Sequence, residues 1–263
     1  MIQEDKQIFV EDLPNILLSE LAKQNDAGTQ YGAICWSHSI VDLATFASPN
    51  TRLSTQPNLT PQVLKSKEII DLIFQKHFME YYWKLPRPLN AILSRQWINS
   101  IIEKRGRFFE PPSLDVRAAI RVMAQHEEFL FFSEPLMAFC GDAKYSNGAI
   151  TRTSLGACQK FLDEHLSDWP VKFDNQAPFF AIPTLSNQVH FDAIEVLESE
   201  NYPIPGHEAS KKSFLRAFLI DLSHLIAHCK STAPIDEIIA ILDATAVQPE
   251  TEQAAVQEPV VRK

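Results

Sequence analysis

Residues 129–140, Phe-Leu-Phe-Phe-Ser-Glu-Pro-Leu-Met-Ala-Phe-Cys, constrain the fold of this chain more than any other stretch. A run so apolar and aromatic belongs in a core, and its aromatic content favours extended backbone. Pro135 has no N–H to give a central ladder. The run therefore predicts two strand pieces joined at a kink around Ser133-Glu134-Pro135. Asn147-Gly148 closes the polar loop that follows, as a tight turn would.

Helical periodicity surrounds this segment. Asp12-Leu13-Pro14 opens a helix with Asp12 at the cap and Leu17, Leu18 and Leu21 on one face, stopped at Asn25 to Gly28. Tyr31 to Ile34 reads as a short buried strand continuing towards Trp36. Residues 48–61, rich in Pro, Ser, Thr and Asn, form a surface loop. Thr60-Pro61 starts a helix with Val63, Leu64, Ile70, Ile73, Phe74, Phe78 and Tyr81 at helical spacing, ended by Pro86 and Pro88. A further helix spans Ser94 to Arg105, stopped by Gly106, and another begins at Pro111-Pro112-Ser113. A helix follows from about Thr153 to Leu166. Residues 168–206 hold five prolines with little period, which predicts irregular chain broken by short helices. Ser210 to Cys229 and Pro234 to Thr245 read as amphipathic helices, and residues 247–263 as a disordered tail. The expected division is a domain over 1–167, a helical extension over 168–246, and the tail.

Charge narrows the partners. The net charge of -9 repels phosphate backbones and argues against nucleic-acid binding. The basic run from Glu103 to Arg107 fits a helix C-terminus, which favours cations. Cys35, Cys140, Cys158 and Cys229 are widely spaced without a C-x-x-C pair, so buried free thiols are expected rather than a disulfide framework or a zinc site. The polar N-terminus is unlike a signal peptide, and no apolar run approaches the ~20 residues that span a bilayer. The expected compartment is the cytoplasm.

An ordered series of motifs points to a family. Tyr81-Tyr82-Trp83 precedes Pro86-Arg87-Pro88-Leu89 and Leu93-Ser94-Arg95. Then come Gly106-Arg107-Phe108-Phe109, Ser113-Leu114-Asp115-Val116, Glu134-Pro135-Leu136 and the loop from Gly141 to Gly148. This series resembles the acceptor-side half of family 2 glycosyltransferases, inverting enzymes of GT-A fold that move a sugar from a nucleotide to an acceptor. Ile8-Phe9-Val10-Glu11-Asp12-Leu13-Pro14-Asn15 is similar to the acidic motif of such enzymes, where carboxylates meet a metal-bound diphosphate. The chain departs from the family pattern at Asp142-Ala143 and at Leu114. Ten residues precede Glu11, whereas a nucleotide-binding βαβ unit needs ~30 or more. The expected fold is thus α/β, a partial GT-A-like sheet flanked by helices.

The resemblance implies roles. Inverting transfer needs a base to take the acceptor proton and positive charge to stabilise the departing diphosphate. Asp115 is the base candidate; an aspartate in a first helical turn is equally ordinary helix chemistry. Glu11 and Asp12 are candidates to hold Mg²⁺ or Mn²⁺, hard cations that prefer carboxylate oxygens, although Asp12 also fits a helix cap. Trp83 and Arg87 are candidates to line an acceptor cleft, since aromatic faces stack on sugars and guanidinium groups hold hydroxyls or phosphates. Tyr82 reads more simply as core. His224 and His228, spaced i, i+4, fall on the polar side of their helix and lack a third ligand.

Two readings follow. In one, the chain is a hexosyltransferase-type enzyme taking a nucleotide sugar and a glycan or other hydroxyl acceptor, with a partner chain supplying the nucleotide half. In the other it is a non-catalytic truncated relative that binds a glycan or a protein partner, the helices of 210–245 being its interaction surface.

Overall fold

The computed structural model describes residues 6–9, 12–27, 31–42, 60–141, 155–166, 168–171, 184–205 and 216–223. The chain is α/β. Five strands, β1 (Lys6–Phe9), β2 (Ala33–Asp42), β3 (Gln62–Lys65), β4 (Ala91–Leu93) and β5 (Glu128–Gly141), form one mixed sheet. The helices are α1 (Leu13–Ala27), α2 (Ser66–Gln75), α3 (Phe78–Tyr81), α4 (Arg95–Arg105), α5 (Leu114–Gln125), α6 (Leu155–His165) and α7 (Leu185–Ser199). A last one, α8, spans 216–223.

The aromatic run becomes the spine of the sheet. β5 is one strand of 14 residues, parallel to β2 along one edge and antiparallel to β3 and then β1 along the other. The expected break at Pro135 is present in another form. Against β2 the register slips twice, so that Trp36 faces Phe132, Ser37 faces Pro135 and His38 faces Met137. On the opposite edge β3 pairs with residues 128–131 and β1 with 137–140. Pro135 therefore sits in a gap where no ladder donor is required, and the bulges absorb the kink without ending the strand.

Alternation along the strands sorts the two faces. Ala33, Cys35, Phe129 and Phe131 point into the larger core, with Ile70, Ile73 and Phe74 of α2, Val116, Ala119, Ile120 and Met123 of α5, and Val189, Ala193 and Leu197 of α7. Ile34, Trp36, Leu130, Phe132 and Leu136 point the other way, against Leu13, Ile16 and Leu17 of α1. Each large apolar side chain so buried contributes roughly 1.5–3 kcal/mol. Within α1 the inward face is Leu13, Ile16 and Leu17, and Leu18 is 63% exposed.

Leu18, expected on the apolar face, is thus outside it, and two further expectations from the sequence are corrected. Residues 62–65, expected as the start of a helix at Thr60-Pro61, form β3, and the helix begins only at Ser66. Val63 and Leu64 suit either state, and the free edge of β5 decides between them. Second, residues 185–199, expected as irregular chain broken by short helices, form one continuous 15-residue helix. Thr184 caps it, its side chain accepting from the Asn187 N–H. α7 is buried on almost every side, and Asn187, Gln188, His190 and Asp192 lie inside along with its apolar residues. Burial all round removes the polar stripe that makes a helix visible in sequence. This helix lies in the expected extension yet shares the core of α2 and α5.

Other expectations hold. Ser94 caps α4 by accepting from the Trp97 N–H, and Gly106 ends it at φ 76. Cys35 is buried and free. No described helix is long and apolar enough to cross a membrane. The Gly148 turn, the helix 234–245, His224, His228 and the tail lie outside the described residues.

Candidate functional site

The segment between α3 and β4 is fixed to the sheet before it presents any chemistry. A single 3-10 turn, Tyr82–Lys84, leads into it. Asn90 is fully buried, and its side-chain amide donates to the Trp36 carbonyl at 2.7 Å while the Trp36 N–H donates to the Asn90 carbonyl at 3.1 Å. The Asn90 N–H donates to the Arg87 carbonyl at 2.9 Å, which sets the backbone of Arg87.

Arg87 is fully buried, and its guanidinium lies 3.7 Å from the centroid of the Tyr82 ring. Its Nη1 reaches the Tyr82 hydroxyl and donates to Asp115 Oδ2 at 3.1 Å. Asp115 stands in the first turn of α5, with its side chain 29% exposed. Trp83 packs edge-on against Tyr82, centroids 5.4 Å apart, and is half-buried. The structure thus brings Asp115, Arg87 and Trp83 into one neighbourhood, joined by Tyr82. Full burial makes Arg87 the group that orients Asp115, and the carboxylate is the partly exposed member of the pair.

Asp12 lies elsewhere. It precedes α1, which covers the Trp36 face, whereas α5 covers the Cys35 face. The Asp12 carbonyl accepts from the Ile16 N–H, and its Oδ1 accepts from the Asn15 side chain at 2.7 Å. Asp12 thus supplies the first carbonyl acceptor of α1, while its carboxylate engages the Asn15 side chain. Glu11 is outside the described residues. A hard divalent cation takes six or more oxygen ligands. Asp12 is one carboxylate already engaged by Asn15, and no group of three or more potential ligands occurs among the described residues. No step below runs through a cation.

Behind Asp115 lies a charged network that the sequence did not announce. Arg117 donates to Asp192 Oδ1 at 2.8 Å and to Glu195 Oε2 at 3.1 Å. Arg121, fully buried, donates to Glu110 at 2.8 Å and to Glu200 at 3.0 Å. Arg105 joins the same Glu200. Burial pushes Asp192 up to about 6, against the pull of Arg117 and the Ser113 side chain. Burial also acts to raise Glu110, but Arg121, Arg117 and Arg105 outweigh it and hold that carboxyl below its ordinary range. Gln188 and Asp192 were missed because they sit on α7; polar residues among apolar ones without a stripe were the available signal.

A recess of about 520 Å³ also runs along α4, lined by Arg95, Gln96, Asn99, Ser100 and Glu103. All five belong to one helix, so it lacks the converging groups that define a site. No family model, curated protein or solved structure matches this chain.

Proposed function

We propose that this chain is a glycosyltransferase-family protein, its sheet and helices forming the acceptor side of a GT-A-like fold. The reading has Asp115 as the base that takes the proton of an acceptor hydroxyl. The acceptor oxygen then bonds to the anomeric carbon as the bond to the nucleoside diphosphate breaks, inverting that carbon. Trp83 offers an aromatic face for a sugar ring. Arg87 orients the base from behind and does not touch the sugar. A divalent cation near Glu11 and Asp12 is a separate part of the proposal.

The observation that carries this reading is the pairing of Arg87 with Asp115 at 3.1 Å, with Tyr82 and Trp83 alongside. Residues singled out for sugar chemistry in separate motifs share one small volume. A carboxylate partly open to solvent and held from behind by a buried cation is suited to meet a hydroxyl.

Calorimetric titration with nucleoside diphosphates and Mn²⁺, followed by transfer assays with nucleotide sugars, tests it. Binding together with transfer that falls about 10²–10⁴-fold in Asp115→Asn supports the enzyme. No binding of any nucleotide overturns it, and glycan binding without nucleotide supports the non-catalytic relative instead.

A further inference from the structure

Ser113 occupies the N-cap of α5, but its side chain makes no cap bond to that helix. A serine there ordinarily accepts from an N–H of the first turn, and losing the bond costs about 1 kcal/mol. Ser113 Oγ instead accepts from Gln188 Nε2 of α7 at 2.6 Å. One turn further along α5, Arg117 donates to Asp192 of the same helix at 2.8 Å. Gln188 and Asp192 are four apart on α7, and Ser113 and Arg117 are four apart on α5, so each pair occupies one face of its helix. Asp115 lies midway between the two attachment points. The Ser113 carbonyl accepts from the Arg117 N–H at 2.9 Å, so the first hydrogen bond of α5 depends on where Ser113 is held. Both α7 residues are buried, and the Ser113 side chain also bears on the Asp192 carboxyl. Burying polar groups here is costly where apolar ones would pack, which points to placement of the helix start.

We infer that Gln188 and Asp192 are positioning residues for Asp115, fixing the first turn of α5 through Ser113 and Arg117. The inference rests on the reading of Asp115 as the reacting carboxylate, and Gln188 and Asp192 act on it only through Ser113 and Arg117.

The test uses the full chain labelled at aspartate Cγ, with the Asp115 signal assigned by its loss in Asp115→Asn. Gln188→Ala and the isosteric Asp192→Asn are compared with Val196→Ala, which loosens the buried side of α7 without touching Ser113 or Arg117. The expected result is a changed Asp115 Cγ shift, and exchange of the Arg117 amide faster by about tenfold, in the first two variants only. An unmoved Asp115 signal in both, or an equal change in Val196→Ala, overturns the inference. Should Gln188→Ala fail to fold, Asp192→Asn alone decides. The readout needs no sugar or nucleotide, so it can succeed where every transfer assay fails, and the two claims fall separately.

Discussion

Arg87 Nη1 and Asp115 Oδ2 lie 3.1 Å apart across 28 positions of sequence, the one buried and the other partly open to solvent. The planar guanidinium covers the Tyr82 ring while it holds the carboxylate. A lysine cannot do both. Arg87→Lys is expected to destabilise the chain by about 1–3 kcal/mol, read from urea midpoints, and to release Asp115 from its direction. An unchanged midpoint together with an unchanged Asp115 carboxyl signal would show that the pair has no orienting role.

Gly32 cannot carry a side chain. A Cβ built there would lie 2.4 Å from the Cβ of His126. Gly32→Ala is expected to cost about 1–3 kcal/mol. Because the clash begins at Cβ, His126→Gly relieves it and His126→Ala relieves it only in part. Equal rescue by both would refute the contact.

Two acids of the α5–α7 network impose opposite pH slopes. Asp192 is raised to about 6, above the ~3.9 of an unfolded aspartate. Its contribution to stability is full below the unfolded value and is lost as pH rises through about 6. Asp192→Asn cannot ionise, so between those values its stability relative to the parent chain should improve by on the order of 1–3 kcal/mol. Glu110 is held low by its arginines, so its contribution is present above its unfolded value and lost as pH falls through the lower folded one. Glu110→Gln should flatten that acid limb. Chemical denaturation from pH 3 to pH 8 checks both, and a parallel pair of curves for Asp192→Asn and the parent would contradict the assignment.

Glu200 has a side chain only 3% exposed and serves Arg105, Arg121 and Gln125 together. Glu200→Ala is expected to cost about 3 kcal/mol. A loss below ~0.5 kcal/mol by denaturant titration would mean the network is already satisfied without it.

A chain ending at residue 167 lacks α7, whose Val189, Ala193, Ile194, Val196 and Leu197 fill the main core. It should lose cooperative unfolding. A sharp transition from that fragment would show that 1–167 is an independent domain.

Legibility in the sequence followed the physics of each element. α4 was readable because Ser94 and Gly106 mark its ends locally, and the aromatic run declared the sheet. β3 was not, since Val63 and Leu64 become a strand only because β5 offers them an edge. α7 was hidden because burial on nearly all sides erases periodicity. Within the site, Asp115, Arg87 and Trp83 were nameable from motif order. That Arg87 stands behind Asp115, and that Gln188 and Asp192 stand behind Ser113 and Arg117, depends on contacts between distant segments.

The central proposal is that the partly exposed Asp115 carboxylate takes the proton of a sugar hydroxyl. Magnetic resonance titration with nucleotide sugars and short glycans, following Asp115 Cγ and the Trp83 indole N–H together, addresses it most directly. Saturable shifts of both signals on one binding curve are the expected result. Ligands that bind and leave both signals unmoved, or a complete panel that does not bind, would contradict it.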